Sequence, residues 1–344
     1  AVERLVLGYY PTWVAYSFPP SKIDFRPYTH LAHAFLMNDA DGNVSSEGNQ
    51  VPNLELTNLA HKAGVKVLLS LGGENSGKTM NPMAANPASF DRYVGNVLKT
   101  VEQGDYDGAD LDWEMPESPE DSSNYVKLAK VLRERLSALG LKKARKYELT
   151  AALPASDWYG KNFDGPGILP HLDYGFIMTY LFSGPWRDIA APSSPLKPSS
   201  KDPESPGLTI QAGMNYWVAS KGWPKEKLVA GLNFDGMGLA AAAPYGPVRK
   251  GEKTGFERVK YSQVSELLGK GWRAWWDEEA RIPWLLSPDA RTVVGYEDPR
   301  SVGEKTAWAR TAGYGGVFFW EISADRLADG SSPLVAAAAS AWPR

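Results

Sequence analysis

The sequence of 344 residues contains no cysteine, and this absence excludes a disulfide framework and any thiolate metal site. Long apolar runs are also missing, because no stretch approaches the ~20 apolar residues of a membrane-spanning helix. Charge of one sign is not in excess: the formal net charge is −3, and no basic stripe of the kind that binds nucleic acid is present. We therefore expect no nucleic-acid partner and no membrane span. Nothing in the sequence indicates a metal or another cofactor.

Aromatic residues are the unusual component, with 13 Trp and 16 Tyr. Such an excess provides flat faces for stacking on sugars or on another hydrophobic partner, with a large core as the alternative explanation. The remaining composition is that of a globular protein, long enough for one large α/β barrel or two modest domains. A monomer is the default expectation. The chain enters an apolar run soon after Ala1, so we expect that any export signal was removed or never existed.

The stretch DGADLDWE at residues 107–114 carries the clearest chemical signal. Asp110, Asp112 and Glu114 alternate with apolar residues, and alternation with period two predicts a β-strand. On a strand these three acids point to one face, with successive members roughly 6–7 Å apart at Cα. Like charges this close do not all ionise, so at least one carboxyl group should keep a proton near neutral pH. A protonated carboxyl group is a proton donor, and the pattern therefore predicts a catalytic strand.

The acidic stretch has two simpler explanations. A solvated acidic face is the usual meaning of a charge run, but Leu111 and Trp113 on the other face indicate a strand that is buried on both sides. A calcium-binding loop also alternates acids, yet it requires glycine at its sixth position and polar residues between the ligands. The intervening residues here are apolar, which favours catalysis over both alternatives.

Eight apolar strands alternate with helical segments along the chain. Alternation of this kind predicts a parallel sheet, and eight strands predict a closed (β/α)8 barrel, here a single domain over residues 1–344. Functional groups of such a barrel lie at the carboxyl ends of the strands, where Ser70, Glu114, Tyr180 and Trp320 fall. The predicted strands cover residues 5–10, 28–36, 65–73, 107–114, 147–155, 174–180, 227–234 and 314–320. The main predicted helices cover residues 53–63, 86–101, 122–139, 208–221 and 299–311.

Two long connections interrupt the alternation. Residues 183–207 are rich in Ser and Pro and are predicted to form a loop that overhangs the site. Residues 235–292 separate the seventh strand from its helix, a distance far beyond the usual two to six residues of such a connection. We expect a small inserted α+β subdomain there, forming a wall of the cleft, with an ordered long loop as the alternative. His30 and His33 lie within the second strand and are expected to be core residues.

Several of these segments together resemble the glycoside hydrolases of family 18, the chitinase-like enzymes. The resemblance follows nearly the whole chain in order: GYYPTW in the first strand, SLGG in the third, DGADLDWE in the fourth, MTY in the sixth and GGVFFWEIS in the eighth. It implies a (β/α)8 barrel that hydrolyses β-1,4 bonds of chitin or N-acetylglucosamine oligomers. It also implies a retaining mechanism in which the substrate's own acetamido group takes part.

Reasoning from the residues points the same way, because ordinary retaining glycosidases place a second carboxylate as nucleophile across the scissile bond. The acids here line one side, so a 2-acetamido group would attack C1 and form an oxazolinium ion. The resemblance gives Glu114 the roles of acid and then base. It implies that Asp112 binds the acetamide N–H, that Asp110 shares a proton with Asp112, and that Tyr180 donates to the acetamide oxygen.

The resemblance also implies a set of residues around the sugar and a set of supporting residues. Residues expected to contact substrate are Tyr9, Phe35, Glu74, Met115, Ala155, Met178, Asp235 and Trp320. Residues expected to support the site are Ser70, Gly72, Gly73 and the outermost acid, Asp107. Ser70 is expected to be a hydroxyl partner of the acids, and Trp320 is expected to form the floor under the reacting sugar, with a core role as its alternative.

The chain departs from the family pattern at three places. Glu74 stands where chitinases often have a Trp that stacks on the leaving-group side, Leu181 replaces an Asp after MTY, and Asp235-Gly236-Met237 replaces a YGR triplet. These departures leave open another acetamido-sugar substrate, namely peptidoglycan or the chitobiose core of N-glycans. A chitin-binding lectin without catalysis is the alternative of a different class. Secretion is expected only because a polymeric substrate lies outside cells.

Overall fold

A computed structural model describes residues 4–343 as a closed barrel of eight parallel strands. The first strand pairs with both the second and the eighth, which closes the barrel, and the other strands follow in chain order around it. This arrangement confirms the predicted (β/α)8 barrel. The eight strands are Leu5–Pro11, His30–Asn38, Lys66–Gly73, Gly108–Trp113, Glu148–Pro154, Tyr174–Met178, Leu228–Asn233 and Gly316–Trp320.

Helices connect the strands on the outside of the barrel. The longer ones are Leu54–Lys62, Gly77–Ala85, Pro87–Gln103, Pro119–Lys143, Ile210–Ala219, Pro299–Thr311 and Pro333–Ala341, and the shorter ones are Asp157–Gly160, Gly165–Ile168 and Val264–Gly269. Short 3₁₀ turns cover Thr12–Val14, Pro20–Lys22, Glu47–Asn49, Leu169–His171, Ser205–Gly207, Lys225–Lys227 and Tyr261–Gln263. A further two-residue strand, Val44–Ser45, pairs antiparallel with the end of the second barrel strand.

The helix that follows the acidic strand begins three residues earlier than its apolar pattern predicts. Ser118 accepts a hydrogen bond from the backbone N–H of Asp121, and the Asp121 carboxylate accepts the backbone N–H of Ser118 in return. This reciprocal pair forms a capping box, and Pro119 occupies the first helical position, where its missing N–H costs nothing. The helix therefore starts close behind Glu114 and fixes the path of the chain as it leaves the site.

Two apolar layers lie on either side of the barrel wall. The outer layer packs the strands against the helices, and it includes Leu111 and Trp113 of the fourth strand. The inner layer fills the barrel with side chains that include Leu7, Phe176 and Phe318. Because successive side chains of a strand point to opposite faces, the acids at positions 110 and 112 point into the barrel where other strands place apolar residues.

A five-stranded antiparallel sheet lies between the seventh barrel strand and the helix Pro299–Thr311, as the long interval in the sequence indicates. Its helix is Val264–Gly269, and the small apolar clusters on this sheet are separate from those of the barrel. The division of the chain into one barrel domain with an inserted unit at residues 235–292 stays a prediction. The strands of this sheet are Asp235–Leu239, Val259–Lys260, Arg273–Asp277, Ile282–Leu286 and Val293–Gly295.

The connection after the sixth strand is a long, ordered loop. Within it Arg187 forms a buried, two-pronged ion pair with Asp202, with N–O distances of 2.8 Å. The loop also joins the inserted sheet, because Glu279 accepts hydrogen bonds from the hydroxyl groups of Ser199 and Ser200. Loop and sheet are therefore joined by direct hydrogen bonds, and their predicted place over the site and as a wall of the cleft stays a prediction.

Candidate active site

Asp110 lies inside the barrel among three hydroxyl donors. The parallel register places Ser70 and Thr150 directly beside it on the two neighbouring strands. Ser70 and Thr150 donate to its two carboxylate oxygens at 2.9 and 2.7 Å, and Tyr9 donates at 2.8 Å. Burial raises the pKa of Asp110, while the three hydroxyl donors lower it in part. Ser70 is thus a hydroxyl donor to one of the acids, and its role in supporting the site stays a prediction.

Asp112 lies one step further along the same face and is buried with an incomplete set of partners. Its Oδ1 atom accepts no hydrogen bond from residues 4–343. Burial raises the pKa of Asp112 well above its usual range, and the neighbouring charges of Glu114 and Asp110 add to this. Asp112 therefore interacts with both of its neighbouring acids, and the proton sharing between Asp110 and Asp112 that the resemblance implies stays a prediction.

The approach of Asp112 to the third strand requires glycine. Gly72 is the register partner of Asp112 and has a φ of +103°. A Cβ atom at this position would lie 2.4 Å from the backbone oxygen of Asp112. Only glycine fits such an approach with such a backbone angle, and this explains the SLGG sequence at the end of the strand.

Glu114 follows the last residue of the fourth strand, and the turn after the third strand holds its backbone. Its N–H donates to the hydroxyl oxygen of Ser76 at 2.9 Å, and the same hydroxyl group donates to the backbone oxygen of Asp112 at 3.1 Å. The N–H of Gly77 donates to the backbone oxygen of Glu114 at 2.7 Å. Burial raises the pKa of Glu114 to about 7, a hydrogen bond with Asp112 lowers it, and the charge of Glu74 raises it.

Aromatic rings line one side of the mouth of the barrel. Trp320 stacks on Phe35 with ring centres 5.8 Å apart and contacts Tyr9 at 5.5 Å. Trp13 contacts Trp320 at 6.1 Å and is 43% exposed. The Phe35 ring lies directly over Gly73, because a Cβ atom there would be 2.8 Å from the ring. These rings form a partly exposed aromatic surface at the ends of the first, second and eighth strands.

Tyr180 and Met178 border the site from the sixth strand. The strand ends at Met178, two residues earlier than predicted, and both side chains pack on the inner apolar layer. Burial raises the pKa of Tyr180 well above its usual range, and the charges of Asp112, Glu114 and Asp110 add to this. The Tyr180 hydroxyl group has no hydrogen-bond partner in the described part of the chain. Leu181 follows with a half-exposed side chain.

Asp235 begins the first strand of the inserted sheet, and its side chain is only 6% exposed. Its Oδ1 atom has no hydrogen-bond partner within residues 4–343, and its Oδ2 atom lies 3.4 Å from Nε of Arg258. Burial raises the pKa of Asp235 to about 6, with Arg258 opposing and Glu321 adding to this shift. A buried carboxyl group with an unused oxygen is thus present where the family pattern has a tyrosine.

The remaining predicted residues divide between the mouth and the opposite end of the barrel. Glu74 is exposed at the end of the third strand, Met115 directly follows Glu114, and Ala155 is buried after the fifth strand. Asp107 lies at the other end of the fourth strand, where His61 and Arg145 bind its carboxylate. Asp107 therefore does not line the mouth, and its supporting role stays a prediction.

Three contributors to the site were not predicted: Trp13, Ser76 and Thr150. Trp13 lies within the GYYPTW sequence, so its aromatic character was a usable signal. Ser76 and Thr150 act through contacts between neighbouring strands. No pattern within a single strand reveals such contacts. In residues 4–343 no group of three or more His, Asp or Glu side chains could hold a metal ion, and no helix is long and apolar enough to cross a membrane.

Fold and site together define a (β/α)8 barrel protein with an acid–base centre at the carboxyl ends of its strands. The model of the glycosyl hydrolases family 18 matches residues 5–325, and the chain belongs to this family.

Individual relatives agree with this assignment. The chain is 28% identical to Chitinase A1 of Niallia circulans, over 93% of this chain and 56% of that protein. It is 29% identical to a probable endochitinase of Caenorhabditis elegans, over 94% of this chain and 57% of that protein. The chain thus spans somewhat more than half the length of these curated relatives. Its fold matches the crystal structure of a Group IV chitinase of Ostrinia furnacalis with a TM-score of 0.89, 24% identity and coverage of 99% and 100% of the two chains.

Proposed function

We propose that this protein hydrolyses β-1,4 glycosidic bonds in chitin or N-acetylglucosamine oligomers. The observation that carries the proposal is the pair formed by Glu114, whose pKa burial raises to about 7, and Asp112, whose buried Oδ1 atom lacks a partner within the described chain. The first group is suited to donate a proton near neutral pH. The second offers a buried polar atom to a substrate group. The names of the two curated relatives, a chitinase and a probable endochitinase, support the same substrate class.

The first chemical step requires a proton donor and a nucleophile. Glu114 transfers its proton to the glycosidic oxygen while the acetamido oxygen of the same sugar attacks C1. The bond between C1 and the glycosidic oxygen breaks, the leaving sugar departs with the proton, and an oxazolinium ion remains. The ionised Glu114 then takes a proton from water, whose oxygen attacks C1 as the bond between C1 and the acetamido oxygen breaks. This step restores the acetamido group and gives a product with retained configuration.

The placement of the acids supports participation of the substrate. Asp110, Asp112 and Glu114 belong to one strand or its end, whereas the facing sixth and eighth strands end in Met178 and Trp320. A retaining enzyme with its own nucleophile needs a second carboxylate on the other side of the sugar. The acetamido oxygen fills that role in our proposal, which makes an N-acetylated sugar obligatory at the reacting position.

The other residues bind and orient the reacting sugar. Asp112 accepts the acetamide N–H and stabilises the positive charge of the intermediate, and Tyr180 donates its hydroxyl hydrogen to the acetamide oxygen before attack. Trp320 forms the floor on which the sugar ring stacks. Asp110, held by its three hydroxyl donors, keeps a negative potential beneath Asp112. The further residues proposed to contact the sugar chain are Tyr9, Phe35, Glu74, Met115, Ala155, Met178 and Asp235.

The proposal extends to the setting of the reaction. Action outside the cell, as a monomer, follows from a polymeric extracellular substrate and from a site built within one chain. The proposed chemistry requires no cofactor, nucleic acid or membrane.

Product analysis tests the proposal directly. The protein is incubated with N-acetylglucosamine tetramer and hexamer, and the products are measured by mass spectrometry beside those of the Glu114→Gln variant. We expect shorter oligomers from the wild type and a rate lower by roughly 10²–10⁴-fold in the variant, the usual contribution of a positioned general acid. The matched control is Glu117→Gln, which changes an exposed carboxylate three residues away and should keep full activity.

Three results would contradict the proposal. Oligomer binding without products would favour a lectin, and neither binding nor products would favour peptidoglycan or the N-glycan core as substrate. Equal activity of the wild type and Glu114→Gln would remove Glu114 from the mechanism. A thermal melt of each variant excludes unfolding as the cause of lost activity.

A further inference from the structure

Glu74 places a carboxylate next to the proposed acid on the rim of the barrel. Gly73 is the register partner of Trp113, so the next residues of the two strands, Glu74 and Glu114, leave the sheet side by side. Neighbouring strands lie about 4.8 Å apart, so the backbones of Glu74 and Glu114 start from roughly this distance. The turn that Glu74 begins also contacts the backbone of Glu114 through Ser76.

This carboxylate is exposed and has no ion-pair partner within 4 Å among residues 4–343, whereas two other acids near the mouth lie close to basic side chains. Asp235 lies near Arg258, and Glu321 lies 3.8 Å from Nζ of Lys260. Both of these pairs belong to the side of the seventh and eighth strands. The rim at the third and fourth strands therefore carries an acidic side chain that forms no ion pair with the described residues, and the basic residue that follows it most closely in the chain is the exposed Lys78.

The order of the strands indicates which part of a substrate passes this rim. The eighth strand, with Trp320, lies opposite the fourth strand in the ring of eight. A sugar stacked on Trp320 with its glycosidic oxygen at Glu114 spans the mouth between them. The sugar beyond that oxygen, which is the leaving group, then extends over the rim where Glu74 is exposed.

We propose that Glu74 selects a cationic amino sugar as the leaving group, so that the enzyme prefers partially N-deacetylated chitin cut between N-acetylglucosamine and glucosamine. This inference rests on the proposed function. The reacting sugar must keep its acetamido group, because that group is the nucleophile. The leaving sugar has no such requirement, and its free ammonium group gains an ion pair with Glu74 that a neutral acetamide does not.

Hydrolysis of a chitin polymer with randomly placed glucosamine tests the inference. The products are sequenced by mass spectrometry, and the new non-reducing ends identify the sugar that occupied the leaving position. At about pH 5 we expect glucosamine at these ends to be enriched roughly two- to fivefold over its share in the polymer, the size of effect usual for an exposed ion pair. The enrichment should disappear in Glu74→Gln and should weaken at high salt, as for any exposed ion pair.

Two control variants sharpen the result. Glu74→Asp keeps the charge and should keep a preference for glucosamine. Glu134→Gln removes one exposed carboxylate from the outer helix Pro119–Lys143 and should leave the end composition unchanged.

The fully acetylated hexamer separates the two possible failures. Suppose that the hexamer is cleaved but that glucosamine is not enriched at the new ends of the polymer, or is enriched equally by the wild type and Glu74→Gln. Either result would overturn the inference and leave the proposed function unaffected. Failure to cleave both substrates would overturn both.

Discussion

At the residue scale, the pKa of Glu114 sets the working pH range. The group must be protonated to act as the acid, and burial raises its pKa to about 7. We therefore expect kcat/KM to stay high below pH 7 and to fall as the pH rises through about 7, where the proton is lost. An ordinary glutamate, with a pKa of about 4.3, would already have lost it near pH 5. Initial rates on the tetramer across the pH range measure this fall. Because Glu114 and Asp112 interact, the apparent pKa obtained from it describes the two groups together.

A second prediction at this scale concerns Glu74. Its negative charge raises the pKa of Glu114, an effect smaller than the rise caused by burial and the lowering caused by the hydrogen bond with Asp112. Replacing Glu74 by Gln removes that charge, so Glu114 should lose its proton more readily. We expect the falling limb of the pH profile to move to lower pH in Glu74→Gln and to stay in place in Glu134→Gln. A limb that does not move, or that moves to higher pH, would contradict the electrostatic link between the two residues.

At the scale of the element, the turn between the third strand and the helix Gly77–Ala85 positions the proposed acid. The Ser76 hydroxyl group joins the N–H of Glu114 to the backbone oxygen of Asp112. The change Ser76→Ala removes both hydrogen bonds, each worth about 1 kcal/mol, so kcat should fall roughly 5–20-fold. KM should change much less, because the residues that bind the sugar stay in place.

Separate measurement of kcat and KM tests this role, with Ser76→Thr as the rescue variant that keeps a hydroxyl group. Ser123→Ala, on the exposed side of the helix Pro119–Lys143, is the matched control and should have no effect. An unchanged kcat in Ser76→Ala would show that the catalytic strand needs no such support.

The elements that the sequence predicts well are those with a strong local signal. The helix Pro299–Thr311 has the predicted bounds because Asp298 caps it and Pro299 starts it. The helix Gly77–Ala85 was missed because it begins with glycine and contains Pro82, both poor helix formers. In the site, the row of acids could be predicted from the sequence because it lies on a single strand. The hydroxyl of Thr150 was not, because only the pairing of two strands places it beside Asp110.

At the scale of the whole molecule, the long loop after the sixth strand contains a buried ion pair. Arg187 and Asp202 are 7% and 3% exposed at their side chains. The change Arg187→Met leaves the Asp202 carboxylate buried without its partner, and we expect a loss of about 3 kcal/mol in the free energy of unfolding. Urea denaturation measures this loss.

The matched control for this change is Arg26→Met, which breaks a pair whose arginine side chain is 90% exposed. Its cost should be much smaller than that of Arg187→Met, as is usual for surface pairs. An equal loss in the free energy of unfolding for the two variants would mean that the buried pair does not stabilise the loop.

Ser70, Asp110 and Thr150 are register partners on three neighbouring strands. This register has a consequence for experiments on folding. A slip of the fourth strand by one residue would turn its acids outward against the helices and bring Leu111 and Trp113 into the barrel. A slipped barrel could keep the native content of helix and strand, and circular dichroism would not distinguish it from the native state. Recovered hydrolysis after dilution from denaturant would distinguish it, so turnover serves as a reporter of correct strand alignment.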